Sequence, residues 1–308
     1  MTNSSPVYKL LNGQTLTKSQ FLKYVEEKVF KTMRKYKLFS LDDKIVVAVS
    51  GGKDSLTVLY LTHKYLKRKG LEKNLLALAI DEGIENYRSK TLDDLEKFCK
   101  KYKIQLEIRS YKQKYGKTLD ESIKKIKTSK ENISACNICG TFRRQSLNTA
   151  ARELGATKLV TGHNLDDEAQ SILLNIFKNN FSILPRLGPA NGVVTDSKFI
   201  PRVKPLYHIT EKEVRLYTLL KGFDLHYSVC PYAKDSFRTN IAVMLNELED
   251  KHKGVKHSIV QFYLQAQGAL KEQFLEEKGN QVTHCSVCGE PSQRPVCNTC
   301  MMKSKIQE

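Results

Sequence analysis

Three sets of residues in this chain have the type and spacing to do chemistry. The first is Ser50-Gly51-Gly52-Lys53-Asp54-Ser55, which follows the apolar run Val46-Val47-Ala48-Val49 and leads into Leu56, Leu59 and Tyr60 at helical spacing. Two glycines let the backbone turn tightly with its N–H groups facing an anion, and the following helix turns its positive end to the same point. This is a phosphate cradle, shorter than the G-x-x-x-x-G-K-S/T loop of ordinary ATPases, with its lysine inside the turn. Lys53 is placed to neutralise phosphate charge, and Asp54 is a carboxylate candidate for catalysis.

The second set is cysteine. The chain has eight, in a composition that fits a reducing compartment, where metal ligation is favoured over disulfides. Cys136 and Cys139 form a C-x-x-C, and Cys230 stands alone before Pro231. Such thiols suit half a zinc site completed by a His, such as His163 or His226, or a pair in which one cysteine carries a persulfide and the other resolves it. Cys285, Cys288, Cys297 and Cys300 form two C-x-x-C pairs eight residues apart, the spacing of a small zinc ribbon. Cys99 shares a helical face with Leu92, Leu95 and Tyr102 and reads as a core thiol.

The third set is Thr161-Gly162-His163-Asn164-Leu165-Asp166-Asp167, at the end of an apolar run and the start of a helical pattern. Asn164 and Asp167 can cap that helix and complement its dipole, while Gly162 leaves room for a ligand to approach. Arg143 and Arg144, one turn after Cys139, suit contact with ATP or a nucleic-acid backbone, or simply a solvated face.

The elements that must position these groups alternate. Short apolar runs at Ile45 to Val49, Leu75 to Ile80, Ile104 to Ile108 and Lys158 to Thr161 read as strands. Helices are expected between them, from about Asp54 to Lys69, Ser89 to Tyr102, Gly140 to Leu154 and Asp166 to Lys178. That is an α/β domain with a doubly wound parallel sheet, whose ligand belongs at the carboxyl ends of the strands. Residues 17 to 36 predict an amphipathic helix outside the main domain. The lysine-rich stretch from Ser110 to Ser134 reads as an insertion that delivers Cys136 to the site, and helices resume over Thr210 to Lys221, Ser236 to Glu249 and Ser258 to Glu277. The expected divisions are an N-terminal helical segment (1–40), a nucleotide-binding domain (41–205), a helical region carrying Cys230 (206–280) and a ribbon (281–308).

With 51 Lys and Arg against 33 Asp and Glu, the net charge of +18 favours a polyanionic partner, and nucleic acid is the first candidate. The longest aliphatic run, Leu75 to Ile80, is far below the roughly 20 residues of a bilayer span, which excludes a helical membrane protein. A polar N-terminus lacking a signal-peptide core predicts a cytoplasmic location.

The Ser50 to Ser55 loop resembles that of the PP-loop ATP pyrophosphatases, which have a HUP-like fold and cleave ATP between its α and β phosphates. Together with Cys136-x-x-Cys139, Gly162 to Asp167 and Cys230-Pro231-Tyr232, it resembles the TtcA/TtuA family of tRNA 2-thiolation enzymes, in its TtuA and cytoplasmic wobble-uridine thiolase branch. The resemblance implies that ATP adenylates a uridine C2 oxygen and that sulfur from an open 4Fe-4S cluster on Cys136, Cys139 and Cys230 then gives 2-thiouridine. It also implies nucleotide contacts at Ala48, Ser50, Gly51, Gly52, Lys53, Asp54, Ser55, Ala79, Arg143, Gly162 and Asp167, catalytic roles for Lys53, Asp54 and Asp167, Mg2+ with the ATP, and Zn2+ in the ribbon. The implied partners are tRNA and a sulfur donor, either a ubiquitin-like thiocarboxylate carrier or free sulfide, and related enzymes are often homodimers. In TtuA-like proteins an N-terminal zinc module accompanies the C-terminal one, whereas here no cysteine precedes Cys99. Competing readings are a PP-loop thiolase working through a cysteine persulfide, an enzyme that uses an amine nucleophile, and a basic RNA-binding protein with regulatory nucleotide binding. The target is open between wobble and T-loop uridine, with cytidine disfavoured.

Overall fold

The computed structural model describes residues 5–128, 133–190, 192–194, 196–225, 230–233, 237–279 and 282–307. His226 and Ser236 of the sequence expectations therefore lie outside the described residues. A hairpin of β1 (Pro6–Lys9) and β2 (Thr15–Thr17) leads into α1 (Lys18–Lys35). The alternating region follows as β3 (Ile45–Val49), α2 (Lys53–Lys67), β4 (Leu75–Asp81), α3 (Arg88–Tyr102), β5 (Gln105–Ser110), α4 (Tyr111–Tyr115), α5 (Leu119–Thr128), α6 (Ala135–Glu153), β6 (Lys158–Val160) and α7 (Leu165–Phe177). The chain then forms β7 (Arg202–Val203), α8 (Glu211–Lys221), α9 (Phe237–Lys251), α10 (Val255–Lys278) and α11 (Asn298–Gln307).

The five strands β5-β4-β3-β6-β7 form one sheet whose pairings are all parallel. The chain winds outward from β3 to β5 in one direction and from β6 to β7 in the other. The switch point thus falls between β3 and β6, where a doubly wound sheet opens a crevice for its ligand. Strand alternation explains why both faces are covered. Ile45, Val47 and Val49 belong to a core shared with α1, α2, α3 and α8, while Val46, Leu78 and Ile80 pack with α4, α5, α6 and α11.

Two local differences from the sequence expectation matter for the site. Helix α6 begins at Ala135, not Gly140, because Ser134 caps it by accepting the Asn137 N–H at 3.3 Å. The C-x-x-C therefore lies within its first two turns. The stretch after Ser110 is also more than a tether: Tyr111 and Tyr115 are buried and stack around Phe142 of α6. Helix α1 does not stand apart. It packs on α2 and α8, and Phe21, Val25, Val29, Phe30 and Met33 are all buried in the first core.

The C-terminal helices are joined to the sheet by charge as well as by apolar packing. Asp166 of α7 and Lys256 of α10 form an ion pair while 5% and 7% exposed, and the second Asp166 oxygen accepts the Glu211 N–H at 2.7 Å. Removing one partner strands a buried charge, which costs about 3–5 kcal/mol. Asp166→Ala is therefore expected to lower the unfolding free energy measured by urea titration by that amount, whereas exposed Asp250→Ala, whose pair with Lys253 is solvated, should change it by less than about 1 kcal/mol. No helix of the described residues is long and apolar enough to cross a membrane.

Candidate nucleotide and sulfur-transfer site

The loop after β3 and the turn after β6 meet at the switch point. Gly51 adopts φ +86°, and a Cβ there would lie 2.5 Å from the Thr91 carbonyl oxygen, so backbone conformation and space both require glycine. A Cβ on Gly162 would lie 2.9 Å from the Asp54 carbonyl carbon, which is how the end of β6 comes against the first turn of α2. The Ser55 hydroxyl closes the loop by donating to the Gly52 carbonyl (2.9 Å) and accepting the Ser50 N–H (3.2 Å).

A cleft of about 280 Å3 opens above this junction. Of the residues expected to contact nucleotide, Ala48, Ser50, Asp54, Ser55, Arg143, Gly162 and Asp167 line it. Gly51, Gly52 and Lys53 sit in the loop beneath, with Lys53 held by Asp54 (2.9 Å) and Glu211 (2.8 Å). Ala79 is fully buried in β4, paired in register with Val49, and does not line the cleft.

Asn164 brings the two carboxylates together. Its side-chain amide donates to Asp54 (2.9 Å), its carbonyl oxygen accepts the Asp167 N–H (3.1 Å), and the Asp167 carboxylate returns the cap by accepting the Asn164 N–H (3.2 Å). Cap and ligand-facing carboxylate are thus the same group. Desolvation raises both carboxyls above the ordinary 3.8, opposed at Asp54 chiefly by Lys53 and at Asp167 by Arg238, which pairs with it at 2.8 Å. A raised carboxyl keeps its proton to higher pH. Binding of a divalent cation with ATP is therefore expected to weaken as pH is lowered while solvent carboxylates are still ionised, and Asn164→Ala should move that acid limb further upward. An isothermal titration series from pH 8 to 5 reads both shifts.

Glu82, Arg88 and His163 line the same cleft without having been picked out as nucleotide contacts. Glu82, 4% exposed, forms ion pairs with Arg88 through one oxygen and with Arg143 through the other, each at 2.9 Å. Arg88 also donates to the Ser50 carbonyl (2.6 Å) and the Ile80 carbonyl (2.7 Å), and Arg143 donates to the Cys139 sulfur (3.0 Å). One carboxylate therefore links the phosphate loop to the C-x-x-C. His163 donates to or accepts from the Thr161 hydroxyl at 2.9 Å. Desolvation, then Lys204, Arg238 and Arg202, push its imidazole down to about 3, so it is neutral at working pH.

The Cys136 thiol donates to the Tyr232 carbonyl at 3.5 Å, and the Tyr232 hydroxyl donates to Asp120 of α5 at 2.6 Å. Those bonds draw the Cys230 segment to α6, where Cys139 is buried and Cys230 half-buried against the same apolar cluster. Among the described residues, the group whose donor atoms lie within 4.8 Å of one another is Cys285, Cys288, Cys297 and Cys300. Cys136, Cys139 and Cys230 form no such knot, and His163 does not join them. Cys139 and Cys230 pack in the same apolar cluster and Cys136 is tied to Tyr232, two residues from Cys230, so the three thiols belong to one region of the structure.

The C-terminal four do fit one ion. Zinc–sulfur bonds of about 2.3 Å in a tetrahedron put sulfurs roughly 3.8 Å apart. The Cys288 and Cys297 sulfurs are 3.7 Å apart, and the Cys297 N–H donates to the Cys285 sulfur at 3.2 Å. This knot is seated on α6: Arg152 pairs with Glu290, and Lys198 donates to the Gly289 carbonyl at 2.6 Å.

A parallel sheet with an anion cradle at its switch point defines a nucleotide-binding α/β protein, and comparison with known proteins narrows it. Residues 21–232 match the PP-loop domain, and the chain belongs to that family. It is 33% identical over 307 residues to the tRNA 2-thiolation protein NcsA of Haloferax volcanii, covering 96% of this chain and 94% of that one. It is 37% identical over 285 residues to the tRNA-5-methyluridine(54) 2-sulfurtransferase of Pyrococcus horikoshii, covering 92% and 86%. Among solved structures it is similar to the U34-tRNA thiolase NcsA of Methanococcus maripaludis, described with its 4Fe-4S cluster, at 33% identity and a TM-score of 0.79 over 97% of this chain and 93% of that one.

Proposed function

We propose that this chain is an ATP-dependent tRNA 2-thiolation enzyme. The observation that carries the reading is the Glu82 bridge, which links the phosphate-binding loop, through Arg88, to Cys139 of the C-x-x-C, through Arg143. An adenylating enzyme that used an amine nucleophile would have no use for that centre, and the similarity to thiolases along nearly the whole chain supports sulfur as the nucleophile.

In this reading the Ser50 to Ser55 cradle holds the β and γ phosphates, and Asp54 and Asp167 hold Mg2+ against them. The uridine O2 attacks the α-phosphate, an oxygen–phosphorus bond forms, and pyrophosphate leaves into a loop already lined with N–H donors. The N3 proton is released as the base becomes an O2-adenylate. A sulfur nucleophile then forms the bond to C2, AMP departs with the former carbonyl oxygen, and N3 is reprotonated. Adenylation converts a poor leaving oxygen into a good one.

Cys136, Cys139 and Cys230 would hold a 4Fe-4S cluster, whose iron without a protein ligand supplies a place to carry activated sulfur. Arg143 orients Cys139, and Tyr111 closes the other side by donating to the Cys139 carbonyl at 2.8 Å. Cys285, Cys288, Cys297 and Cys300 would hold structural Zn2+. A ubiquitin-like thiocarboxylate or free sulfide is the sulfur source in this reading, and a homodimer the assembly. The test is AMP release from ATP with and without unmodified tRNA under anaerobic conditions. The reading expects one AMP and one pyrophosphate per turnover that require tRNA; ADP formation, or AMP independent of tRNA, contradicts it.

A further inference from the structure

Two adjacent arginines of α6 have opposite electrostatic situations. Arg143 is neutralised by Glu82 and the Cys139 sulfur. Arg144 is exposed, its guanidinium lies over Gly140, where a Cβ would come 3.4 Å from one of its nitrogens, and among the described residues no carboxylate lies within 4.0 Å of it. Arg202 of β7 reaches the same place from the sheet. It pairs in register with Leu159, whose side chain faces α6, and it donates to the Arg144 carbonyl at 3.2 Å. Arg202 also has no carboxylate within 4.0 Å among the described residues, although Lys204, two residues on, pairs with Glu168 at 2.8 Å and Arg238 pairs with Asp167 at 2.8 Å.

We propose that Arg144 and Arg202 form a subsite for a backbone phosphate of the substrate RNA, at the rim of the cleft that receives the target nucleotide. This rests on the tRNA-thiolation reading above. Uncompensated guanidinium pairs are costly in the free protein unless an anion shares them, and a phosphodiester offers two oxygens in the geometry their planar forks match. Desolvation, and then the charge of Arg144, push the Arg202 guanidinium below its ordinary value, as expected of a site built to be completed by a ligand. The rim position follows from the neighbours of the pair: Arg144 adjoins Arg143, which lines the cleft, and Arg202 pairs in register with Leu159, two residues before the cleft-lining Thr161. ATP already has its own cradle at the Ser50 to Ser55 loop, on the strand next to β6. That leaves the RNA backbone as the phosphate for the rim, and one phosphate fixed there would register the nucleotide that enters.

The experiment measures affinity of the full-length protein for an unmodified tRNA transcript, by fluorescence anisotropy across a salt series, and for Mg-ATP separately. Arg144→Gln with Arg202→Gln is expected to weaken tRNA binding about tenfold or more and to reduce the slope of log affinity against log salt by about 1, with ATP affinity unchanged. Lys67→Gln with Lys69→Gln, at the far end of α2, is the charge-matched control and should cause a smaller loss. Among the described residues the Arg144 side chain makes no hydrogen bond or ion pair, so the effect of Arg144→Gln alone counts even if the double variant unfolds. Loss of ATP affinity with intact tRNA binding, no change in either, or a loss no larger than in the lysine control would overturn the subsite. If the wild-type protein bound ATP but no tRNA, the function proposed above would fall first and the subsite with it.

Discussion

Asp54→Ala is expected to reduce tRNA-dependent AMP release by about 10²-fold or more while leaving the fold intact. The carboxylate faces the cleft, and its two oxygens are held by Asn164 and Lys53, each at 2.9 Å. A preorganised carboxylate at a metal and phosphate site supplies several kcal/mol of transition-state stabilisation. Its desolvation is unfavourable in the free protein, as the raised pKa records, so deleting it should leave the thermal midpoint unchanged or slightly higher. Asp54→Asn separates charge from shape: it keeps the hydrogen-bonding outline and should be nearly as inactive. Release of AMP within threefold of wild type in either variant would remove Asp54 from the chemistry.

Cys230→Ala is expected to abolish iron binding and thiolation while zinc remains. Anaerobically purified wild-type protein should contain about four irons with matching sulfide and one zinc per chain. The variant should lose the iron and keep the zinc, because Cys285, Cys288, Cys297 and Cys300 are a separate group whose sulfurs are already assembled. Cys230 is half-buried, so its loss has only a small packing cost, and circular dichroism should not change. Iron retained in the variant, or zinc without iron in the wild type, would return the three thiols to a persulfide or zinc role.

What could be read from sequence was local. The Ser50 to Ser55 turn declares itself because strand, glycines and helix start are contiguous, and the ribbon does so because four thiols within 16 residues have little else to do. The strand positions held because the apolar runs are bounded by polar turns. Side chains whose roles depend on distant partners were not legible. Glu82 follows Asp81 at a strand end like many surface acids, and only the fold places Arg88 and Arg143 on its two oxygens. Asp166 and Asp167 are indistinguishable in sequence, yet successive positions on a helix point about 100° apart. One therefore ties α10 to α7 and the other faces the cleft. Ala79, expected at the nucleotide, is instead part of the sheet interior. The short hairpin before α1 and the edge strand β7, two residues long, carry too little pattern to be seen. The C-terminal helix α11 was also missed, because only Ile306, with Met302 packed against it, brings apolar surface to the second core.

The most direct test of the central claim is nucleoside analysis by mass spectrometry after incubating the iron-loaded protein anaerobically with unmodified tRNA, Mg-ATP and sulfide. The account predicts a 2-thiolated uridine, gained only when ATP is present and matched by AMP. Unchanged uridine in tRNA that had nonetheless driven AMP formation would contradict it, showing that the adenylated base is met by a nucleophile other than sulfur.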